Sequence, residues 1–454
     1  MEKEVIQYCC NNCGSVFPRW QGHCSGCNSW NTIEQEIVVK PKKGKAKQSS
    51  MIDCKPLAID DVELTEEEII PTDIKEFDNV MGTGLVCGSV TLLGGEPGIG
   101  KSTFALQLAQ RVAGKDKKVL YVSGEESVEQ ISLRSKRIGK NTDTLYVYSE
   151  VNIVKIIKAI EETKPDLVVM DSVQVVFHPD IPSVAGSVNQ VRSCAGELIR
   201  VLKKQHSVGI LIGHITKEGG LAGPKVLEHL VDIILYFEGE RNQRFRILRS
   251  FKNRYASTNE IGLFEMKNKG LEEITQPSEL FIDDSSLSKP GSVVSAISEG
   301  RRVLLVEVQS LVVGSGYGMA KRTFLGLDPN RANLMIAAIE KMFCYKLGVN
   351  DIIINIVGGL KVKEPALDLA LVLSIISSYK RESVIKDVGV FGEVGLTGEL
   401  RPVPNAEKRL LEFEKMGFTA ALMPAKNKQS YKLKTIKPIY ANDINEAVQV
   451  MFKK

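Results

Sequence analysis

The feature that most constrains this chain is a glycine-rich loop that begins at Gly95. The eight residues from Gly95 to Ser102 fit the P-loop pattern G-x-x-x-x-G-K-[ST] at every fixed position. An apolar run from Ser89 to Leu93 precedes the loop, and apolar residues recur at spacing four after it. Strand, loop and amphipathic helix in this order are the context that the motif requires. The sequence therefore predicts an α/β fold that holds nucleotide phosphates at a helix N-terminus.

Each residue type in the loop suits the binding of ATP and Mg²⁺. Glycines let the backbone bend around the β-phosphate and direct its N–H groups inward. Lys101 is expected to reach the β- and γ-phosphates, and the Ser102 hydroxyl to hold Mg²⁺. The residues predicted to bind nucleotide here are Gly95, Glu96, Pro97, Gly98, Ile99, Gly100, Lys101, Ser102 and Thr103.

Two carboxylates follow apolar runs of the same predicted sheet. Asp171 ends the run Leu167 to Met170 and is predicted to hold the Mg²⁺ shell as a Walker-B residue, the alternative being a helix cap. Glu125 follows Tyr121 to Gly124 at the C-terminal edge of the second strand, where ligands gather in open α/β sheets, and is predicted to orient or deprotonate the attacking water. Glu126 competes for that role, and either residue can instead be surface charge.

Short apolar runs bounded by polar residues continue on both sides of these carboxylates. Runs of this kind are typical of strands buried on both faces of a parallel sheet. The first helix is expected to end at Gly114 as a left-handed cap. The predicted strands are Val119–Val122, Leu167–Met170, Val208–Ile212, Val231–Phe237 and Phe245–Leu248.

A chain of 454 residues is too long for one core, and its composition changes along its length. The segment Lys40 to Ser50 has almost nothing to bury and is typical of a solvated linker. Near Pro290 the alternation restarts, with strands predicted at 303–308 and 352–357 and helices at 330–344 and 365–379. The predicted division is a finger at 1–35, a basic and acidic linker at 36–70, the ATPase at 71–275 and an α+β domain at 285–454.

Four cysteines near the N-terminus have the spacing of a zinc site. Cys10 and Cys13 form one C-x-x-C pair, and Cys24 and Cys27 form another after a ten-residue gap. Two such pairs can hold one tetrahedral Zn²⁺. The finger is expected to contact DNA or a partner protein.

Both tryptophans of the chain, Trp20 and Trp30, lie in this small module together with Arg19. Their rings can stack on unpaired bases or cover the metal. Trp30 is expected to be structural, and both roles stay open for Trp20.

The hydropathy and the N-terminal residues predict a cytoplasmic protein without a membrane partner. A net charge of +4 permits nucleic-acid binding without arguing for it. The sequence contains no apolar run of about 20 residues, the length needed to cross a bilayer, and its N-terminus has no signal-peptide core.

Three segments together resemble the bacterial RadA family, also called Sms, of RecA-like recombination and repair ATPases. They are Gly94 to Thr103, Ser123 to Ser127, and Lys252 to Ala256. The resemblance covers essentially the whole chain: a four-Cys finger, a RecA-type core and a C-terminal domain similar to the Lon protease domain.

The resemblance implies a ring, expected to be a hexamer, with DNA-stimulated ATPase activity. Such a ring is expected to move along single-stranded DNA as a helicase and to promote branch migration of recombination intermediates, with RecA as a protein partner. Lys252 and Arg254 match the family's Lys-Asn-Arg motif and are implied to act on the nucleotide of the neighbouring subunit. Tyr255 replaces the usual Phe, and Ala256 replaces the usual Gly. Without the family, a basic turn after a strand would be the preferred interpretation.

The RecA-type core also implies two further positions. His214, at the end of the strand Val208 to Gly213, is a candidate γ-phosphate sensor, although a lone His is more often structural. The glycine-rich loop Thr216 to Lys225 carries two lysines and suits contact with a DNA backbone. The segment Pro179 to Arg192 is a second candidate for DNA contact.

The Lon-like domain is predicted to be inactive as a protease. The stretch that matches the family's Ser segment, Lys363 to Ala370, contains no Ser or Thr, and Glu407 stands where the catalytic Lys belongs. Lys408 is one residue away, but an alignment slip would not restore the nucleophile. The domain is expected to serve ring assembly and DNA contact, with candidate phosphate contacts at Lys361, Lys363, Arg381 and Arg401.

Two other functions fit parts of the sequence. An ATP-dependent peptidase or unfoldase would use the same ATPase and Lon-like parts, but the missing nucleophile argues against it. A KaiC-like signalling ATPase would share the core but not the finger, and DNA stimulation of ATP turnover separates it from a DNA motor.

Overall fold

The structure is a computed structural model that divides into two compact units. One unit comprises Met1–Thr258 and Gly262–Glu273, and the other comprises Asn259–Ile261 and Ile274–Lys454. The residues described are 4–10, 16–26, 28–39, 68–139, 142–213, 227–239, 245–274, 276–282, 285–316, 320–358 and 360–452.

The N-terminal module is a small antiparallel sheet. Its strands are β1 (Glu4–Cys10), β2 (Val16–Phe17) and β3 (Ile33–Val39), in the order β2-β1-β3. Cys10 pairs with Ile33 at the end of β1, and both are buried. The register therefore places Cys10 in the core of this module.

The nucleotide-binding region begins with two short antiparallel strands that flank a helix, and it continues as alternating strands and helices. Its helices are α1 (Lys75–Met81), α2 (Lys101–Ala113), α3 (Val128–Ile138), α4 (Ile153–Thr163) and α5 (Val188–Lys204). Its strands are β4 (Ile69–Ile70), β5 (Leu85–Val86), β6 (Val90–Gly95), β7 (Val119–Ser123), β8 (Leu145–Ser149), β9 (Leu167–Asp171), β10 (Val208–Ile212), β11 (Ile233–Glu238), β12 (Phe245–Asn253), β13 (Ile261–Lys267) and β14 (Gly270–Glu273).

Within the described residues, β6 to β14 form one nine-stranded sheet in the order β14-β13-β12-β11-β6-β10-β9-β7-β8. The six strands from β11 to β8 in that order are parallel to their neighbours, whereas β12 runs antiparallel to β11. Helices α1, α2 and α3 contribute to the core on one face of the sheet, and α4 and α5 contribute to the core on the other. This arrangement confirms the predicted α/β class. The strands are apolar throughout because helices cover both faces of the sheet.

The helix after the P-loop ends differently from the prediction. Gly114 has φ −64° and ψ −8°, which is right-handed, and its N–H donates to Gln110 and Val112 carbonyls. The left-handed residue is instead Asp116, with φ 60°. The expectation of a left-handed cap at Gly114 is wrong because the chain makes one further turn before it reverses.

The C-terminal unit contains a second sheet of mixed direction. Its strands are β15 (Ser292–Glu299), β16 (Arg302–Gly314), β17 (Arg322–Leu325), β18 (Asn350–Ile356), β19 (Val388–Val390), β20 (Glu393–Val394), β21 (Leu400–Arg401), β22 (Ala420–Pro424) and β23 (Lys437–Ala441). Its helices are α6 (Pro329–Phe343), α7 (Asp368–Lys380), α8 (Ala406–Lys415) and α9 (Ile444–Met451). The seven-stranded sheet has the order β17-β18-β16-β15-β19-β22-β23 among the described residues.

The predicted elements of this unit lie where the sequence placed them, with one change. A 3₁₀ turn at Pro365–Leu367 precedes α7, so the α-helix itself begins at Asp368. Residues 368–378 of α7 are all buried, and apolar residues on every face of a helix are typical of such a central position. No helix in the described part of the chain is long and apolar enough to span a bilayer.

Candidate active site

The P-loop connects β6 to α2 and adopts a conformation that needs glycine. Gly95, Gly98 and Gly100 have φ values of 150°, 79° and 113°. A Cβ at Gly95 would lie 2.9 Å from the Phe237 carbonyl oxygen, and one at Gly100 would lie 2.5 Å from a Met266 methyl carbon. The loop is therefore closely packed against β11 and β13. The backbone oxygen of Phe237 excludes a Cβ at Gly95, and the positive φ angles favour glycine at all three positions.

Helix α2 begins at the loop without a side-chain cap. Gly100 is its N-cap residue and has no side chain to accept a bond from the first turn. The first N–H groups and the positive end of the helix dipole are then suited to an anion. Ser102 and Thr103 follow in that turn and are half-buried, and Glu96 is half-buried while Pro97 lies exposed.

Lys101 lies inside the loop. Only 3% of its surface is exposed, and its Nζ donates to the carbonyl oxygens of Gly95 at 2.8 Å and Glu96 at 3.0 Å. Burial lowers the pKa of Lys101 to about 8, and the negative charges of Asp171 and Glu125 partly oppose that shift. The ammonium group is thus positioned at the loop, with both carboxylates close enough to act on its charge.

Asp171 is held at the carboxyl end of β9. It is 5% exposed, and Oδ2 accepts a hydrogen bond of 2.7 Å from the Tyr121 hydroxyl on the adjacent strand β7. Burial raises the pKa of Tyr121 well above its usual value, and the charge of Asp171 raises it further. The Tyr121 hydroxyl therefore stays protonated and donates this hydrogen bond across the working pH range. The carboxylate of Asp171 and the hydroxyl of Ser102 offer oxygen atoms, the ligands that Mg²⁺ prefers.

The structure separates the two competing glutamates. Oε1 of Glu125 accepts a bond of 2.6 Å from the Ser172 hydroxyl, directly after Asp171. Glu126 forms an ion pair with Arg134 of α3 instead. Glu125 is therefore the glutamate on the side of Lys101 and Asp171, and this placement favours it for the role at the attacking water. That role itself stays a prediction.

Arg246 is a site residue that the sequence pattern does not predict. It lies on β12, is 3% exposed, and its Nε donates to the Ile99 carbonyl oxygen of the P-loop at 3.1 Å. Burial lowers the pKa of its guanidinium group. This buried arginine therefore holds one side of the P-loop. In the sequence of β12, no local pattern distinguishes Arg246 from an arginine on the surface.

Lys252 and Arg254 lie far from the P-loop of their own chain. Lys252 pairs with Ile234 near the start of β11, whereas the P-loop follows the end of the parallel strand β6. Lys252 Nζ donates to the carbonyl oxygens of Glu228 at 2.8 Å and Val231 at 2.7 Å. These two basic residues therefore mark the edge of the sheet opposite to the nucleotide site.

Asp232 is the anchor of this opposite edge. Its carboxylate accepts from Arg254 Nη1 at 3.1 Å, from Lys203 Nζ at 2.9 Å and from the Val90 N–H at 3.1 Å. The Asp232 side chain is 2% exposed, and that of Arg254 is 55% exposed. Arg254 is thus tethered to a buried carboxylate while most of its side chain lies in solvent.

Asn253 shapes the turn that presents these residues. Its Oδ1 accepts from the N–H groups of Tyr255 and Ala256, and its Nδ2 donates to the Met81 carbonyl oxygen. A Cβ at Gly82 would lie 2.6 Å from that of Ala256. The Ala at position 256, where the family usually has Gly, is accommodated because Gly82 faces it.

Two of the four predicted zinc ligands, Cys10 and Cys24, lie within the described residues. Cys10 and Cys24 are both fully buried, and the Sγ of Cys10 lies 3.2 Å from the Thr32 hydroxyl. Cys13 and Cys27 lie outside the described residues, as do His214 and the loop Thr216 to Lys225. Two buried thiols at these positions fit a thiolate-bound metal.

The tryptophans are more exposed than expected. Trp30 is 72% exposed and Trp20 is 60% exposed. Trp30 has its ring 4.9 Å from that of His23. The expectation that Trp30 covers the metal is therefore wrong, because most of its surface faces solvent.

A salt bridge joins the two segments of the C-terminal unit that match the Ser and Lys segments of the Lon protease domain. Ala366 stands where the family's Ser would be and is buried. Arg409 is fully buried and pairs with Glu364, two residues from Ala366. Oε1 of Glu407 accepts from the Lys432 N–H, and Lys408 is exposed.

The candidate phosphate contacts of this unit divide into two groups. Lys361, Lys363 and Arg381 are exposed. Arg401 is exposed as well, but it donates to Glu399 at 2.8 Å. A carboxylate partner makes Arg401 the weaker candidate.

Comparisons with known proteins agree with the three-part organisation. Models of an AAA domain, of subunit ChlI of Mg-chelatase and of a rubredoxin metal binding domain match residues 56–220, 330–427 and 8–35. The chain is 44% identical to DNA repair protein RadA of Bacillus subtilis (strain 168) over 453 residues, 99% of each chain. It is 42% identical to DNA repair protein RadA of Listeria monocytogenes over 448 residues, 98% of each chain. A KaiC-like protein of Pyrococcus horikoshii OT3 has a TM-score of 0.39 at 18% identity, over 46% of this chain and 99% of that one.

Proposed function

The chain belongs to the RadA family of DNA repair proteins, and from this premise we propose that it is a DNA-stimulated ATPase of recombination and repair. In the proposal it forms a ring, moves along single-stranded DNA as a helicase and promotes branch migration of recombination intermediates. The observation that carries the proposal is the placement of the catalytic groups. Lys101, Asp171 and Glu125 lie at one edge of the sheet, and Arg254 lies at the opposite edge.

The residues at the nucleotide-binding edge of the sheet have different roles in ATP hydrolysis. The loop N–H groups and Lys101 bind the β- and γ-phosphates and offset the charge that develops on them. Ser102 and Asp171 would hold Mg²⁺, which supplies further neutralisation of the phosphates. Glu125 orients the attacking water, and its bond from Ser172 keeps its carboxylate in one orientation.

The opposite edge supports action across a subunit boundary. Along the strands, Val90 beside Asp232 and Gly95 of the P-loop are five residues apart, about 16 Å at the rise of a β-strand. Arg254 bonded to Asp232 therefore does not reach its own nucleotide. In a head-to-tail ring, the same side chain faces the P-loop of the next copy, as an arginine finger does.

Coupling to DNA is proposed to pass through the end of β10. The Gly213 N–H donates to Leu93 at 3.0 Å, and the Val173 N–H donates to Ile212 at 3.1 Å. The end of β10 therefore lies between the P-loop strand β6 and the residues after Asp171. A γ-phosphate sensor followed by a DNA-binding loop at this point would relate nucleotide state to DNA contact.

The C-terminal unit is proposed to be inactive as a protease. Ala366 has no nucleophilic atom, Arg409 and Glu364 neutralise each other, and Lys408 is exposed whereas Ala366 is buried. The unit would then serve assembly and DNA contact. Incubation with casein and ATP should yield no fragments, and ATP-dependent cleavage would contradict this part.

The proposed motor is tested with a labelled branched DNA that carries a single-stranded tail. ATP should drive strand displacement from the tailed substrate, and a blunt duplex of the same sequence serves as the matched control. RecA added to a three-strand exchange should yield longer heteroduplex when the protein and ATP are present. ATP hydrolysis without displacement or heteroduplex extension would leave an ATPase and contradict the helicase.

A further inference from the structure

Strands β7 and β9 exchange side-chain hydrogen bonds at the edge where the nucleotide site lies. The Tyr121 hydroxyl on β7 donates to Oδ2 of Asp171, which ends β9. In return, the Ser172 hydroxyl that follows β9 donates to Oε1 of Glu125, which follows β7. Each site carboxylate is therefore bound by a hydroxyl from the strand that carries the other one.

The surroundings hold both hydroxyls in place. Tyr121 and Ser172 are each fully buried. Ser123 lies opposite Asp171 in the register, and the Gly124 N–H donates to the Asp171 carbonyl oxygen at 2.8 Å. A Cβ at Gly124 would lie 2.3 Å from a methyl carbon of Val175. The two strand ends are thus closely packed, and both hydroxyls are buried beside their carboxylates.

We propose that Tyr121 and Ser172 are positioning residues that keep Asp171 and Glu125 in separate roles. The inference rests on the proposed ATP hydrolysis at this site. Tyr121 engages one oxygen of Asp171, so that the carboxylate presents the other to the metal-binding side and does not rotate. Ser172 holds Glu125 beside Asp171 and prevents it from turning into the metal shell, so that it stays available to the attacking water.

The alternative is that both hydroxyls only satisfy buried polar groups. Removal of either bond would then reduce stability without a selective kinetic effect. The two roles predict different changes. Loss of the Tyr121 bond affects the dependence on Mg²⁺, whereas loss of the Ser172 bond affects the chemical step. A purely structural pair would show neither selectivity.

The test uses full-length Tyr121→Phe and Ser172→Ala, with ATP turnover measured against Mg²⁺ and against ATP. Tyr121→Phe should raise the Mg²⁺ concentration for half-maximal activity about 10-fold, in the range typical of residues that orient metal ligands. Ser172→Ala should lower kcat by about 10-fold or more with KM for ATP unchanged. Binding of a fluorescent ATP analogue in EDTA should equal wild type for both variants, because this readout needs neither metal nor turnover.

Matched controls come from the same sheet. Ser207→Ala removes a buried hydroxyl that donates to the Pro165 carbonyl oxygen at 2.7 Å, at the edge away from the nucleotide. Tyr148→Phe makes the same change as Tyr121→Phe on the neighbouring strand β8. Both controls should keep wild-type Mg²⁺ dependence and kcat. Site variants that match these controls in kinetics would overturn the positioning roles while ATP hydrolysis by the wild type stands. A wild-type protein without ATP turnover would overturn the proposed function and this inference together.

Discussion

Replacement of Arg254 by Ala tests whether the nucleotide site is completed by a neighbouring subunit. The change should cost little stability. The Arg254 side chain is 55% exposed, and an ion pair that exposed contributes about 0.5 kcal/mol. Asp232 keeps its bonds from Lys203 and the Val90 N–H. The variant should therefore fold and melt close to the wild type.

The effect on turnover should be large. The P-loop of the same chain is about 16 Å away along the strands and stays whole, so nucleotide affinity is expected to be unchanged. An arginine finger contributes about 10³-fold or more to kcat, because it offsets charge in the transition state. Arg254→Ala should thus bind ATP normally and hydrolyse it about a thousand times more slowly. Arg249→Ala, which removes an ion pair between β12 and Glu238 of the neighbouring strand β11, is the matched control and should retain activity.

Mixed rings distinguish action in trans from action in cis. Co-expression of differently tagged Arg254→Ala and Lys101→Ala subunits, followed by purification on both tags, yields verified mixtures. At random placement, about a quarter of the interfaces pair an intact P-loop with an intact Arg254, so about a quarter of wild-type turnover should return. Turnover no higher than in either variant alone would refute action across the boundary.

Three further expectations follow from the site and the finger. Lys101→Ala and Lys101→Arg should both abolish ATP turnover without a change in thermal unfolding. No neighbour duplicates the point charge of Lys101, and a planar guanidinium does not fit the loop. Turnover at the wild-type rate would contradict the P-loop assignment. Nucleotide affinity, measured by calorimetry, should fall as the pH rises through about 8. Burial lowers the pKa of Lys101 to about 8, and above that pH the neutral amine no longer attracts phosphate. An affinity that does not change with pH would contradict this role of Lys101. Elemental analysis should find one zinc per chain, lost in Cys10→Ser or Cys27→Ser while ATP turnover largely survives; native protein without zinc would end the metal assignment.

The parts of the fold that the sequence predicted are those set by local pattern. Strands β6, β7, β9 and β10 are buried on both faces, so their runs of apolar residues stand out without any knowledge of neighbours. The P-loop was recognisable because its glycines and Lys101 occupy fixed positions in eight consecutive residues. The predicted cap at Gly114 is wrong because the position of the reversal depends on the turn at Asp116 that follows it.

The parts that the sequence did not predict depend on contacts between distant residues. Glu125 and Glu126 are adjacent in the chain, and only the partners Ser172 and Arg134 distinguish them. Arg246 reaches the P-loop from 147 positions away, and no local pattern marks it. The exposed Trp30 shows the same limit, since two tryptophans in a small module equally suit a core or a surface.

The most direct test of a DNA motor is the rate of ATP hydrolysis with and without single-stranded DNA. The rate should rise on addition of a single-stranded oligonucleotide and should rise less with an equal mass of blunt duplex. Lys101→Ala provides the background for both. Because the stimulation depends on phosphate contacts, it should weaken as the salt concentration increases. A rate that is the same with and without DNA at low salt would contradict the account and favour an ATPase with another partner.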